Sequence, residues 1–191
     1  MDPSEIEFIA ERQTVSIIPK FTSNNVLHLI SGDVGPFRAG LPVVVPLWVA
    51  VHLRQKQKCR IIAPEWMNVN TLLEKKEEEK QSRLFTKMPN EHYMEVAHMV
   101  LTVAGNDIQR PDAIRTAVKD LWDLRIAKLR SSMDVFIKSQ ARTAKLDHLT
   151  QLEINSVRPL LPDTLDVIHD LQTDDNQERS YFQTSTFSAS Q

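Results

Sequence analysis

The residues that could carry out catalysis or bind a metal are scattered through the sequence. The six histidines form no zinc-binding spacing, and His92 and His98 point in different directions on a predicted helix. The chain has no nucleophile-elbow motif, no dinucleotide fingerprint and no pair of histidines with an intervening glutamate. We therefore expect no metal site, no cofactor, no small-molecule substrate and no enzymatic activity.

Two other groups of residues resemble functional motifs but have simpler structural explanations. Gly32, Gly35 and Gly40 form a glycine-rich segment, but the lysine and hydroxyl residue of a phosphate-binding loop are missing, so we favour turn formation. The carboxylates of residues 77–79 lie in a tract, residues 74–83, that mixes both charges. This pattern is typical of an exposed helix, so we interpret these carboxylates as solubilising residues.

A basic run is the densest cluster of positive charge in the chain: Arg54, Lys56, Lys58 and Arg60. It lies at the end of a predicted helix, where cations suit the helix dipole, and no aromatic residue alternates with it to stack on bases. The net charge of −2 gives no overall attraction to nucleic acid. Two interpretations stay open, a solvated helix end and a local contact with DNA or an acidic partner.

Residues 111–154 contain no glycine and predict one long helix, or two helices nearly in line. Pro111 suits the first helical position, and Asp112 favours the positive end of the helix dipole. An unbroken helix would be about 60 Å long, whereas a compact chain of this size is roughly 40 Å across. We therefore expect a bend, for which Ser131 and Ser132 are candidates, together with contacts to partners.

Apolar side chains cover an arc of about 220° on this helix, wider than the ~100° of a helix with one buried side. Arg125 projects into the middle of the arc, and Lys128 lies close to it. Each must therefore reach water or meet a carboxylate. A satisfied structural charge and an intersubunit ion pair are both open for Arg125.

The rest of the chain divides into a β-rich part and a helical part. In the β-rich part the β-branched residues 14–19 predict a strand, and Pro46 suits the start of a helix. In the helical part we expect helices to begin at Pro64 and at Pro89.

With 41% hydrophobic and 25% charged residues, the composition is typical of a soluble globular protein, and no apolar run is long enough to cross a bilayer. The single cysteine, Cys59, indicates a reducing, intracellular environment and no internal disulfide, and we expect it to be a small core residue. We predict an α+β, mainly α fold: a small β-rich domain at 1–62, a helical bundle domain at 63–171 and a disordered tail at 172–191.

Three sequence stretches resemble the GINS family of eukaryotic DNA replication, and within it the second Psf-type subunit. They are GPFRAGLPVVVPLWVAVHLRQKQKCRIIAPEWM at residues 35–67, IRTAVKDLWDLRIAKLRSSMD at residues 114–134, and LTQLEIN at residues 149–155. The resemblance runs in order from about residue 8 to residue 154. It implies a β-rich domain that precedes a helical domain, as the sequence pattern independently predicts.

The resemblance also implies a role and a set of partners. Four paralogous subunits form the GINS heterotetramer, which joins the minichromosome maintenance hexamer and its cell-division-cycle partner in the CMG helicase. This chain would then be a nuclear, non-catalytic scaffold whose contact with DNA is indirect or weak. The alternative function is a nucleic-acid-binding module that uses the basic run.

The candidate contact residues follow from the long helix and from the matching stretches. The candidates for core or intersubunit contacts are Trp122, Arg125, Ile126, Lys128, Leu129, Met133 and Phe136. We expect Trp48 and Trp66 to join the β-rich domain to the helical domain. We also expect Arg125→Ala to weaken assembly more than Lys138→Ala, because only Arg125 lies within the apolar arc.

Overall fold

The computed structural model describes residues 2–30, 32–139 and 147–158, apart from the side chains of residues 137–139. Its first part contains α1 (Pro3–Ala10), β1 (Thr14–Pro19), β2 (Leu27–Leu29), β3 (Gly32–Val34), β4 (Val43–Pro46), α2 (Leu47–Gln55) and β5 (Cys59–Ile61). Its second part contains α3 (Val69–Gln81), α4 (Tyr93–Ala104), a short 3-10 turn (Gly105–Asp107), α5 (Pro111–Ser139) and α6 (Gln151–Val157). The predicted α+β, mainly α fold is confirmed, while the predicted tail at 172–191 lies outside the described residues.

The first part is built on an antiparallel sheet with the strand order β4-β1-β5. Successive side chains of a strand alternate between the two sheet faces, so Val15 and Ile17 are buried while Ser16 and Ile18 lie on the opposite face. The hairpin of β2 and β3 lies beside this sheet as a separate pair. The strand predicted at 14–19 is therefore confirmed as β1.

One apolar core runs through both parts of the described chain. Val15 and Val45 of the sheet belong to the same buried cluster as Val100 of α4 and Leu121 of α5. Cys59 is fully buried in this cluster, as its predicted role as a small core residue requires. The division into separate domains after residue 62 stays a prediction.

Asp107 also joins the sheet to the helical part. Its carboxylate lies 2.8 Å from Nε of Arg54 on α2 and accepts a hydrogen bond of 3.4 Å from the backbone N–H of Ile61. Its backbone carbonyl accepts a bond of 3.4 Å from Arg60. Asp107, in the turn after α4, therefore holds both α2 and the outer edge of β5.

Two predicted helix starts are wrong. Residues 64–67 form a turn, in which the N–H of Met67 bonds to the carbonyl of Pro64 at 2.9 Å. α3 then begins at Val69, because the Asn68 side chain caps it by accepting from the N–H of Asn70 at 3.2 Å. Similarly, α4 begins at Tyr93 and not at Pro89.

Both predicted arrangements of residues 111–154, one long helix and two helices nearly in line, are also wrong. Either arrangement would place Arg125 and Glu153 about 40 Å apart, whereas Nε of Arg125 lies 2.6 Å from a carboxylate oxygen of Glu153. α6 therefore returns to lie beside α5. α5 itself stays helical through Ser131 and Ser132 to Ser139. None of the helices in the described ranges is long and apolar enough to cross a membrane.

Candidate interaction site along α5

Arg125 lies in the middle of α5 and is fully buried. Its Nε and one NH2 group donate to the two oxygens of Glu153 at 2.6 and 2.9 Å, which is a bidentate pair. Its other terminal nitrogen donates to Glu79 at 2.9 Å. The backbone carbonyls of Thr86 and His148 accept at 3.1 and 2.8 Å, so all five N–H donors are used.

Glu79, the second member of this group, is fully buried on α3. Its carboxylate accepts bonds from Nζ of Lys128 at 2.8 Å and from the N–H and hydroxyl of Thr86 at 2.9 and 2.5 Å. Desolvation raises the pKa of Glu79, but the bonds from Lys128 and Thr86 and the charge of Arg125 outweigh it, so this pKa lies below its ordinary value. The interpretation of Glu79 as a solubilising residue is therefore wrong, although Glu77 and Glu78 are exposed.

Glu153 completes the group, and the sequence analysis missed it. The N–H of Thr150 donates to its carboxylate at 2.8 Å, while the Thr150 hydroxyl accepts from the Glu153 N–H at 3.4 Å, which is a capping box at the start of α6. A threonine followed three positions later by a glutamate is a recognisable sequence signal for a helix start. We call Glu79, Thr86, Arg125, Lys128 and Glu153 the Arg125 cluster.

The Arg125 cluster holds four segments of the chain together: α3, the loop after it, α5 and α6. Burial lowers the pKa of Arg125, but the hydrogen bonds and charge of Glu153 and the charge of Glu79 raise it above its ordinary value. The Phe85 ring lies 5.2 Å from the Arg125 guanidinium and 5.4 Å from Nζ of Lys128, close enough for cation-π contacts. Both carboxylates that pair with Arg125 belong to this chain. The structure therefore favours a satisfied structural charge at Arg125 over an intersubunit ion pair.

A second buried polar group lies at the start of α4 and is less well satisfied. Nδ1 of buried His92 lies 3.7 Å from Oε1 of buried Glu95, too far for a hydrogen bond. Those two atoms and the hydroxyl of Tyr93 lack hydrogen-bond partners among the described residues. Desolvation raises the pKa of Glu95 and also raises the pKa of the Tyr93 hydroxyl.

The remaining candidates on α5 differ in burial. Leu129 is buried, whereas Trp122, Ile126, Met133 and Phe136 are half-buried. Trp122 packs against the shared core, and Lys128 is used by Glu79 and by the backbone carbonyl of Leu84 at 2.8 Å. The structure therefore places these candidates partly inside the chain and partly at its surface.

The surface candidates lie where α5 extends past its neighbours. Ala117 is 4% exposed, whereas Val135, on the same side of the helix about five turns later, is 66% exposed. Ile114 and Ser132 are also five turns apart on one side of the helix, and Ile114 is buried whereas Ser132 is exposed. The described residues therefore cover this side of α5 up to Leu129 and leave it open at Ser132 and Val135, and we call residues 130–139 the distal segment.

The other predicted contact residues lie away from the distal segment. Trp66 is half-buried against the shared core, while Trp48 is 41% exposed beside Phe8 and Ile30, in a cavity of about 680 Å³ within the first part. In the basic run Arg54 and Arg60 contact Asp107, and Lys56 and Lys58 are exposed. Among the residues that the structure describes, no three histidine, cysteine or acidic side chains are grouped to hold a metal ion.

Known proteins resemble this chain over nearly its whole described length. A family profile described as PSF2 N-terminal domain matches residues 2–62, and one described as GINS complex protein helical bundle domain matches residues 66–172. The probable DNA replication complex GINS protein PSF2 of Drosophila melanogaster is 61% identical over 168 residues, which is 88% of this chain and 82% of that protein. The DNA replication complex GINS proteins PSF2 of Xenopus laevis and Homo sapiens are 49% and 48% identical, each over 91% of this chain and 93% of its own length. As its sequence motifs predict, this chain belongs to the PSF2 family of GINS complex proteins in DNA replication.

Proposed function

We propose that this chain is a non-catalytic structural subunit of a heterotetrameric GINS complex in the nucleus. Three paralogous subunits are its direct partners, and the complex joins the minichromosome maintenance hexamer and its cell-division-cycle partner in the CMG helicase. The names of its relatives support the first level of this assembly, because each is a protein of a DNA replication GINS complex. The role of this chain is to hold other subunits in register.

The observation that carries the proposal is the change in cover along α5. The side of the helix that holds Ala117 in the core leaves Val135 in water, and half-buried Phe136 and Met133 follow it around the same segment. Apolar side chains left partly exposed at one end of a long helix are typical of a protein interface. We therefore assign the distal segment to contact with a helix of a paralogous subunit.

The use of the buried charges supports a scaffold and not a catalyst. Every N–H donor of Arg125 is bound to an acceptor that belongs to α3, to α6 or to a connecting loop. Such a closed set of bonds fixes the mutual arrangement of helices, which an assembly platform needs.

Two aspartates in the distal segment test the assignment. In the full chain co-expressed with its three paralogous subunits, we expect Met133→Asp with Val135→Asp to lower recovery of the assembled complex at least about tenfold, since charges would replace apolar contacts. The unfolding free energy of the chain alone should change by less than about 1 kcal/mol, because Val135 is exposed and Met133 only half-buried.

The matched control places aspartates at Thr116 and Ala127, which are exposed positions nearer the start of α5. This pair adds the same charge to the same helix but leaves the distal segment intact, so the complex should form normally. Equal recovery of complex from the two double variants would contradict the proposed contact.

A further inference from the structure

The sheet of the first part has a face that points away from the core. Pairing of β1 with its neighbours sets Ser16 opposite Val44 and Ile18 opposite Arg60. The ladder continues beyond the paired residues, since the N–H of Ile62 bonds to the carbonyl of Ser16 at 2.9 Å. Directly paired residues share a sheet face, so these side chains lie together on the outer side.

Aliphatic side chains occupy one end of this face. Val44 is 62% exposed, Ile62 is also exposed, and Ile18 between the two outer strands is half-buried. A sheet that covers its core with one face normally presents polar side chains on the other. Here Ser16 of β1 lies between exposed Val44 and Ile62, and Ile18 follows on β1, so aliphatic side chains surround a small polar one.

Cations occupy the other end of the face. The N–H of Lys20 bonds to the carbonyl of Lys58 at 2.8 Å, so the two lysines extend the row that contains Arg60. All three side chains are exposed, and none of them forms an ion pair with any residue that the structure describes. The nearby carboxylate of Asp107 is paired with Arg54, and Arg60 reaches only the Asp107 carbonyl.

The edges of the sheet are closed to an added strand. Pro42 and Pro46 flank the free edge of β4, and proline lacks the N–H that a pairing strand needs. At the opposite edge the N–H of Ile61 is already bound by Asp107. A partner must therefore lie across the face and contact side chains.

We propose that this outer face binds an acidic amphipathic protein segment, whose aliphatic side chains pack on Ile18, Val44 and Ile62 while its carboxylates pair with Lys20, Lys58 and Arg60. Charge complementarity indicates the acidic part of the partner, and the exposed aliphatic end requires an apolar part. Nucleic acid fits the face less well, because the three strands carry no aromatic side chain on which bases could stack. The contact is separate from the distal segment of α5.

A displayed library of random peptides tests both requirements. Peptides of about 12 residues, long enough to cross the sheet, would be selected on the immobilised full chain. We expect the enriched peptides to carry both carboxylates and aliphatic residues. Binding of one synthetic enriched peptide is then measured by fluorescence anisotropy.

Four variants of the full chain separate the two ends of the face. Lys20→Glu with Lys58→Glu should weaken the peptide at least about tenfold, and Val44→Ser about threefold, because the charges and the apolar contact are removed in turn. The matched controls are Lys119→Glu on α5 and Leu73→Ser on α3, both at exposed positions, and they should bind the peptide like the wild type. Thermal unfolding of each variant checks that the fold is intact.

Three results would overturn the proposal. The first is enrichment of peptides without carboxylates or without aliphatic residues, and the second is an equal loss of binding in the controls. The third involves single-stranded and duplex DNA of about 20 nucleotides. If DNA binds more tightly than the peptide, is weakened by the lysine reversals and is unaffected by Val44→Ser, the face is a nucleic-acid surface.

Discussion

The two segments of α5 belong to one continuous helix but have different surroundings. Up to Leu129 the helix lies against α3 and α4, and its charged residues find partners there, such as Lys76 with Asp120 at 2.8 Å. In the distal segment the corresponding side faces water, at Ser132 and Val135. Periodicity therefore reveals which side of a helix is apolar, while the neighbouring helices decide whether that side is core or interface.

Removal of the Arg125 guanidinium should have the largest effect and would confirm that the covered segment is structural. Arg125→Ala leaves Glu153 buried without its bidentate cation and Glu79 with Lys128, and loss of one partner from a buried ion pair costs about 3–5 kcal/mol. Urea unfolding of the full chain should show this loss. Val135→Ala in the distal segment should change the unfolding free energy by less than about 0.5 kcal/mol.

This expectation changes the meaning of the comparison between Arg125→Ala and Lys138→Ala. Because Arg125 contacts residues of its own chain, weaker assembly of its variant would report a damaged fold and not an interface. The side chain of Lys138 lies outside the described residues. Similar unfolding curves for Arg125→Ala and Val135→Ala would contradict the structural role of the Arg125 cluster.

The ionisation of Glu79 should make the next largest contribution to the unfolding free energy. The pKa of Glu79 in the folded chain lies below its ordinary value of 4.5, so its contribution to stability is present above that pH and is lost as the pH falls. Glu79→Gln should cost about 1.5–3 kcal/mol at pH 7, the value of hydrogen bonds to a charged group. In urea unfolding from pH 7 to pH 3 the difference from wild type should shrink, and a constant difference would argue against ionised Glu79.

The ionisation of Glu95 should have the smallest effect on the unfolding free energy, and its pH dependence should be opposite to that of Glu79. Desolvation raises its pKa, so the folded chain holds a proton that the unfolded chain releases, and stability falls as the pH rises above about 4.5. Glu95→Gln removes this loss and should stabilise the chain at pH 7 by about 1 kcal/mol. The gain should disappear near pH 4.5 in the same unfolding series, whereas a destabilised variant at pH 7 would show that the carboxylate is satisfied.

Local sequence signals predicted the fold class and much of its first part. The β-branched residues of β1 and the position of Pro46 before α2 were sufficient to place those elements. The start of α3 was misplaced because Pro64 is a common first residue of helices and also of turns. The Asn68 cap decides between them only once the following helix is known.

The Arg125 cluster could be predicted only in part. The sequence places Arg125 within an apolar arc, and therefore indicates that it needs a carboxylate. It does not indicate which one, because Glu79 lies in a mixed-charge tract without apolar periodicity and its burial depends on a partner 46 residues away. Glu153 was accessible through its capping box with Thr150, although its bond to Arg125 depends on the return of α6.

Hydrogen exchange of residues 130–139 tests the central claim most directly. The claim is that the distal segment of α5, which the described residues leave open at Ser132 and Val135, is covered by paralogous subunits in the complex. Amide exchange should therefore be slower in the assembled complex than in the chain alone, and amides of residues 114–129 should change little because they are already covered. Equal exchange of residues 130–139 in the two states would contradict the account.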